Sequence, residues 1–307
     1  MKTLAVDYKM NLCFTEAVTD HYFVLRCIPT ARGCQTVTSR SLEVTPQVPL
    51  FTYRDTFGNF VYRGQCYAPH TEFAFRVNAQ VLVHNAEGSR EPCQPFYKYN
   101  TPLTFCNDSM KNFLLASVKG TAFEGGVENR KFDRTEMRDF ASFLCSLVNK
   151  RIVYTSGSTT VKTTAAEAFS MQKGVCQDYA HLFVSLAREA GLAARYVCGM
   201  SIGEGATHAW AEFFVPDEDY MTYDGQTIQG TWFGLDPTRN KFVDDTYVIL
   251  SVGRDFTDCQ VDRGVFCGSV GQKQTVLVKT SEIDMPQNFG EFSGHSVSSM
   301  ADLAGQQ

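Results

Sequence analysis

The hydrophobic period of the chain changes twice, and those two changes restrict its architecture more than any other feature. From Met1 to about Val83 the residues run in short β-like stretches of Val, Thr, Phe and Tyr broken by turn residues: His21 to Ile28, Val37 to Val44, Asn59 to Tyr67 and Glu72 to Val83. Within the last of these, Phe73-Ala74-Phe75-Arg76-Val77-Asn78-Ala79-Gln80-Val81 alternates like a half-buried strand, and Asp55-Thr56-Phe57-Gly58-Asn59 reads as a turn. After a proline-bearing stretch from Pro92 to Pro102 the period becomes helical. Helices are expected at Asp108 to Val118, Thr135 to Lys150, Thr164 to Met171 and Cys176 to Ala190, the last closed by Gly191. Asp133 stands three residues before Glu136, the spacing of a capping box, and Met137, Phe140, Ala141, Leu144 and Val148 share one face behind it. Strands then return at Leu192 to Met200, Thr207 to Val215, Thr231 to Leu235, Thr246 to Val252 and Gln274 to Lys279, while Thr155 to Thr160 is a Ser/Thr/Gly loop.

Helices grouped before strands argue for an α+β fold, not for alternating parallel units. The chain divides on this reading into an N-terminal antiparallel β module (1–100), a core (101–250), a C-terminal β extension (251–292) and a loose tail (293–307) poor in apolar residues. With 307 residues, one large or two ordinary domains are allowed. For the β module a role as cover for the core's apolar surface is favoured over a role in recognition.

Charge and cysteine usage narrow the partners. Lys plus Arg number 28 against 33 Asp plus Glu, a net charge of −5, so no basic footprint for nucleic acid exists. Asp7 and Lys9 interrupt the N-terminal apolar residues before a leader can develop, and no apolar run approaches the ~20 residues of a membrane helix. The eleven cysteines are an odd number without tight pairing, so at least one is a free thiol, and a reducing, cytoplasmic location is expected. No Cys-x-x-Cys or His-Glu-x-x-His spacing occurs, Cys259 and Cys267 are too isolated for a closed zinc site, and no helix opens after Gly199, Gly203 and Gly205 to hold a phosphate. No metal, cofactor, membrane or nucleic acid partner is expected, and self-association is left open.

One thiol has suitable company. Cys176 follows Gly174, which can turn the backbone sharply, and opens a helix whose buried stripe holds Tyr179, Ala180, Phe183 and Ala187. A helix N-terminus favours negative charge, and an adjacent histidine can take the proton. Downstream, His208-Ala209-Trp210-Ala211-Glu212-Phe213-Phe214-Val215 reads as a strand whose even face, with His208, Trp210 and Glu212, looks into a cleft or toward solvent. Glu212 lies ~13 Å along the strand from His208, too far to orient it. Asp236, at the end of a neighbouring strand stopped by Pro237, is the better carboxylate. His181 is the competing base, but five residues rotate it ~140° away from Cys176, so a packing or surface role is favoured. Asp178 reads as a first-turn acid or local hydrogen-bond partner, and His21, His70, His84 and His295 as structural or surface residues. Trp210 has two readings, a cleft wall or a residue packed under the β module.

Gly174-Val175-Cys176-Gln177-Asp178-Tyr179-Ala180-His181-Leu182, then Gly191-Leu192-Ala193-Ala194-Arg195-Tyr196-Val197, His208-Ala209-Trp210-Ala211-Glu212 and Phe233-Gly234-Leu235-Asp236-Pro237-Thr238 together resemble the bacterial transglutaminase-like superfamily. Asp55 to Asn59 and Pro69-His70 resemble the β region that precedes its core, and Gly253-Arg254-Asp255 with Arg263-Gly264-Val265 its C-terminal extension. Ala193 stands where the family often has Pro. The resemblance implies a papain-like core of helices on an antiparallel sheet, with Cys176 as nucleophile, His208 as base and Asp236 as orienting acid. The Cys176 backbone N–H, with the side chain of Gln172 or Gln177, is the candidate oxyanion donor. The expected activity is acyl transfer through a Cys176 thioester on a peptide or protein amide. Hydrolysis, as a peptidase or amidase, is favoured because water at ~55 M outcompetes an amine unless the site shields the thioester. Transamidation and a non-catalytic peptide-binding role are the alternatives.

Overall fold

A computed structural model describes residues 1–84, 88–126, 132–217 and 229–284. The expected tail, 293–307, and the end of the C-terminal extension lie outside the described residues. Along the chain run β1 (Lys2–Leu25), β2 (Gln35–Thr45), β3 (Leu50–Arg54), β4 (Phe60–Cys66), β5 (His70–Val83) and the short β6 (Ser89–Arg90). Helices α1 (Asp108–Val118) and α2 (Arg134–Arg151) follow, then β7 (Val153–Tyr154), α3 (Ala165–Met171), β8 (Lys173–Gly174) and α4 (Cys176–Glu189). The remainder is β9 (Ala194–Ser201), β10 (His208–Pro216), β11 (Gly230–Asp236), β12 (Lys241–Phe242), β13 (Tyr247–Gly253), the single-turn α5 (Phe256–Cys259), β14 (Asp262–Cys267) and β15 (Gln272–Ile283).

The N-terminal module differs from a set of short strands. β1 is one strand of 24 residues, in which Leu4, Val6, Tyr8 and Met10 are buried and alternate with Ala5, Asp7 and Lys9. Its register shifts between Cys13 and Val18. Before the shift it pairs with β5 on one side and β15 on the other; after it, with β4 and β14. The strand at His21 to Ile28 is therefore the last part of β1, and strands on both sides of the helical region complete this sheet, whose order is β2-β5-β1-β4-β3 with β14 and β15 on β1. β3 falls outside the strands expected from the sequence, although its Phe51-Thr52-Tyr53 run is rich in strand formers.

The second sheet is antiparallel in the order β12-β11-β10-β9-β13. Helices cover one of its faces: Phe140, Leu144, Leu182, Phe183 and Leu186 form one core with Ala211, Phe213, Phe233 and Leu235. Further along the strands the same face shares a core with the N-terminal sheet, where Tyr8, Met10 and Phe75 meet Tyr196, Met200 and Leu250, Tyr196 being paired across the strands with Ala211. Helices and N-terminal sheet thus pack side by side against one face of the core sheet, an α+β arrangement. The capping box of α2 is complete, with Asp133 receiving the Glu136 N–H at 2.8 Å and Glu136 receiving the Asp133 N–H at 3.0 Å.

This layering corrects the expectation for the even face of β10. His208, Trp210 and Glu212 face neither solvent nor an open cleft, because His208 through Val215 are all buried. Connecting segments cover that face, with Cys34, Phe57, Cys93, Phe96 and Tyr97 packed against it. Glu212 there accepts from Arg195 Nε at 2.6 Å, and Arg195 also holds Glu91 at 3.0 Å, so the buried carboxylates are paired.

Candidate active site

Cys176 is the first residue of α4 and is part-exposed. The approach to it is fixed by backbone pairing: β7 and β8 run parallel, Val153 N–H donates to the Gln172 carbonyl at 2.9 Å, and Thr155 N–H to the Gly174 carbonyl at 2.9 Å. Gly174 does not turn the chain sharply. Its lack of a side chain leaves room for Asp178, since a Cβ would stand 2.6 Å from the Asp178 Cβ. The Asp178 carboxylate accepts from Val175 N–H and from Thr159 Oγ1, each at 2.7 Å, closing the N-terminus of α4 against the 155–163 loop. Burial pushes its carboxyl up, and the bonds from Thr159 and Val175 oppose that rise.

Cys176, as the first residue of α4, therefore sits at the positive end of that helix's dipole. Its sulfur lies beside the His208 imidazole, close enough to raise its pKa. His208 opens β10, and its Nε2 lies 2.7 Å from Asp236 Oδ2 at the end of β11. With Nε2 engaged by the carboxylate, Nδ1 is the nitrogen left for the thiol. Burial disfavours charge on His208, but the Asp236 carboxylate and the Cys176 sulfur outweigh it and hold the imidazole up at about 9. Asp236 is fully buried, yet its carboxyl is held below the usual carboxylate range: burial pushes it up, and the His208, Tyr247 and backbone hydrogen bonds overcome that.

Asp236 is itself over-determined. Oδ2 accepts from Tyr247 Oη at 2.8 Å, and Oδ1 accepts from the N–H groups of Thr238 at 2.9 Å and Arg239 at 3.2 Å. Arg239 then donates to Tyr247 Oη and Ser201 Oγ, each at 2.9 Å, and pairs with Glu204. Sequence reasoning missed Tyr247 and Arg239. Arg239 carried a signal, being three residues past Asp236 just after the strand stop, but Tyr247 reaches the site only because β13 lies beside β9. Tyr154, exposed on β7, lies close enough to Cys176 to feel its charge.

The other expected residues fall outside this cluster. Gln172 is exposed and caps α3 with φ 54°, and its carbonyl is used by Val153. The Gln177 amide donates to the Val161 carbonyl at 3.4 Å, so it secures the loop and is not aimed at the thiol. Trp210 is not a cleft wall. It is fully buried, packs edge-on against Tyr247 with centroids 5.3 Å apart, and stacks at 6.2 Å beside the His208 ring. His181 is likewise buried, accepts from Phe256 N–H at 3.1 Å and is pushed down to about 4 by burial. His84 bonds Thr36, His21 pairs with His70, and His295 lies outside the described residues. The eleven cysteines are all free; burial pushes Cys93, Cys145 and Cys198 up to about 12, and Cys13 and Cys267 are exposed.

Residues 128–225 match the transglutaminase-like superfamily model, and residues 4–82 match the bacterial transglutaminase-like N-terminal region. An uncharacterized protein of Mycobacterium tuberculosis is 38% identical over 133 residues, covering 40% of this chain and 40% of that protein. The match therefore spans 40% of the length of that curated relative. An uncharacterized protein of Mycobacterium leprae is 24% identical over 293 residues, covering 92% of this chain and 100% of that protein. The solved structure of a "Putative Cysteine Protease" from Cytophaga hutchinsonii shares the fold, with a TM-score of 0.67 at 18% identity over 95% of this chain and 94% of that one. Among the described residues, no helix is long and apolar enough to cross a membrane. A transglutaminase-like core, preceded by the N-terminal β region that accompanies such cores in bacteria, places this chain in the transglutaminase-like superfamily.

Proposed function

We propose that the chain is a thiol-dependent acyl-transfer enzyme acting on a peptide or protein amide, with Cys176 as nucleophile, His208 as acid and base, and Asp236 as the group that orients His208. The observation that carries this reading is the single imidazole that stands beside a thiol at a helix N-terminus and is bonded to a buried carboxylate at 2.7 Å. At neutral pH an imidazole held near 9 keeps the proton it takes from Cys176. The sulfur attacks the amide carbonyl, forming a C–S bond, and the oxyanion is received by the Cys176 backbone N–H. The His208 imidazolium then gives its proton to the departing nitrogen as the C–N bond breaks, leaving a thioester and a neutral imidazole. His208 next takes a proton from water, whose oxygen bonds the acyl carbon as the C–S bond breaks, releasing the free acid and restoring the thiol.

Hydrolysis is the favoured outcome because Cys176 is part-exposed, so water reaches the thioester at ~55 M while an amine must be selected by binding. Incubation with a glutamine-containing peptide and a labelled primary amine tests this choice. Free acid exceeding amine incorporation supports hydrolysis, and the reverse ratio makes the protein a transamidase with the same three residues.

A further inference from the structure

The motifs Pro69-His70 and Arg263-Gly264-Val265 take no part in the thiol site, yet they meet inside the N-terminal sheet. His70 Nδ1 lies 2.9 Å from the Ala68 carbonyl oxygen, and because a carbonyl only accepts, that nitrogen carries the proton. With the His70 Nδ1 proton directed at that carbonyl, its Nε2 accepts from His21 Nδ1 at 3.1 Å, so the proton on His21 is also at Nδ1. His21 Nε2 is then a bare lone pair. The residue is 2% exposed, and no described residue gives that nitrogen a hydrogen bond. Burial, with His70 beside it, pushes the imidazole down to about 4, so the lone pair is available at neutral pH.

His21 lines a cavity of about 320 Å³, a size that suits a small ligand. Gly264 keeps the way open: a Cβ there would stand 2.6 Å from His21 Nε2. Phe23, Phe73 and Phe266 supply aromatic walls, and Asp262 contributes a carboxylate. Asp262 and Gly264 share one face of β14 two residues apart, so Asp262 and His21 Nε2 lie on the order of 7 Å from each other. Gln274 Nε2 donates to Asp262 at 3.0 Å, which uses the amide donor and leaves acceptor capacity on the carboxylate. Arg263, also at the cavity, is exposed at its rim. Two acceptors within aromatic walls suit a ligand that donates, and aromatic faces attract a cation.

We propose that this cavity binds a small organic amine, whose nitrogen donates to His21 Nε2 with the Asp262 carboxylate as the nearby countercharge and whose apolar body lies against Phe23, Phe73 and Phe266. The proposal does not depend on the thiol chemistry. Its test is a titration of the full chain with phenethylamine, followed by ¹⁵N resonances of the histidine rings, with toluene as the body lacking the amine. The expected result is a saturable shift at His21 Nε2 with Kd of about 1 mM or tighter, and at least about tenfold weaker binding of toluene. Gly264→Ala, which places a methyl against Nε2, is expected to weaken phenethylamine binding at least about tenfold while near-ultraviolet circular dichroism stays unchanged. If Gly264→Ala does not fold, Asp262→Asn serves in its place, with weaker binding in support. Absence of a saturable shift, equal binding of toluene, or wild-type affinity in the folded variant overturns the proposal.

Discussion

The core sheet and the N-terminal sheet each bury a histidine with one ring nitrogen tied to a neighbour, and they hold those histidines in opposite states. His208 leans on a carboxylate and is held up at about 9, whereas His21 leans on a second imidazole and is pushed down to about 4. Burial opposes charge in both places. What differs is that Asp236 brings a compensating negative charge, itself secured by Tyr247 and two backbone N–H groups, while His70 brings none. Burial alone makes a histidine a neutral acceptor. Burial beside a well-anchored carboxylate makes it a store for a proton, which is what a thiol nucleophile requires.

The largest break in this comparison is removal of the thiol. Cys176→Ala is expected to lower amide turnover at least about 10⁴-fold, since the covalent route is lost. Asp236→Asn keeps the shape but removes the charge, so kcat is expected to fall about 10³-fold or more, and an NMR titration should find His208 well below its wild-type position near 9. A turnover loss without that fall would separate catalysis from the carboxylate's charge.

The same contrast predicts a two-sided dependence of stability on pH. His208 has its folded value near 9 above the unfolded 6.5, so its contribution is full below 6.5 and is lost as pH rises through 9. That limb is of order 3 kcal/mol. His21 and His181, both pushed down to about 4, contribute fully above 6.5 and lose that contribution as pH falls toward 4. Urea midpoints measured across this range are expected to fall on both sides, and Asp236→Asn is expected to flatten the alkaline side only.

Tyr247→Phe removes one donor from Asp236 and leaves the rest, so a loss in kcat of about tenfold is expected, matching one hydrogen bond to a charged group. Gln177→Ala marks the smallest effect, a change of no more than about threefold in kcat, because its amide is spent on the Val161 carbonyl. A larger loss would return Gln177 to the oxyanion site.

Much of the core was legible because its signals are local. A cysteine at a helix start, a histidine opening a strand and an aspartate before a strand-ending proline each show in a few residues, and the sheet then brings them together through adjacent strands. Tyr247 and Arg239 were not legible as partners of Asp236, since nothing along the chain says which strand edges neighbour one another. The even face of β10 misled for the same reason: alternation says that two faces differ, not that connecting segments bearing Cys34, Phe57 and Tyr97 cover the polar one. In β1, Asp7 and Lys9 interrupt a possible leader and are also the outward half of a period-two strand, so the long strand was present in the alternation of Leu4, Val6, Tyr8 and Met10. Its partners β14 and β15 lie over 230 residues away, which no local pattern specifies.

The central claim is that Cys176 differs chemically from the chain's ten other thiols, and the rate of iodoacetamide alkylation at each cysteine, followed by peptide mapping at pH 6, tests it most directly. Cys176 is expected to react at least about tenfold faster than the exposed Cys13 and Cys267, with the advantage lost in His208→Ala. Alkylation of Cys176 at the rate of Cys13 and Cys267 would contradict the account.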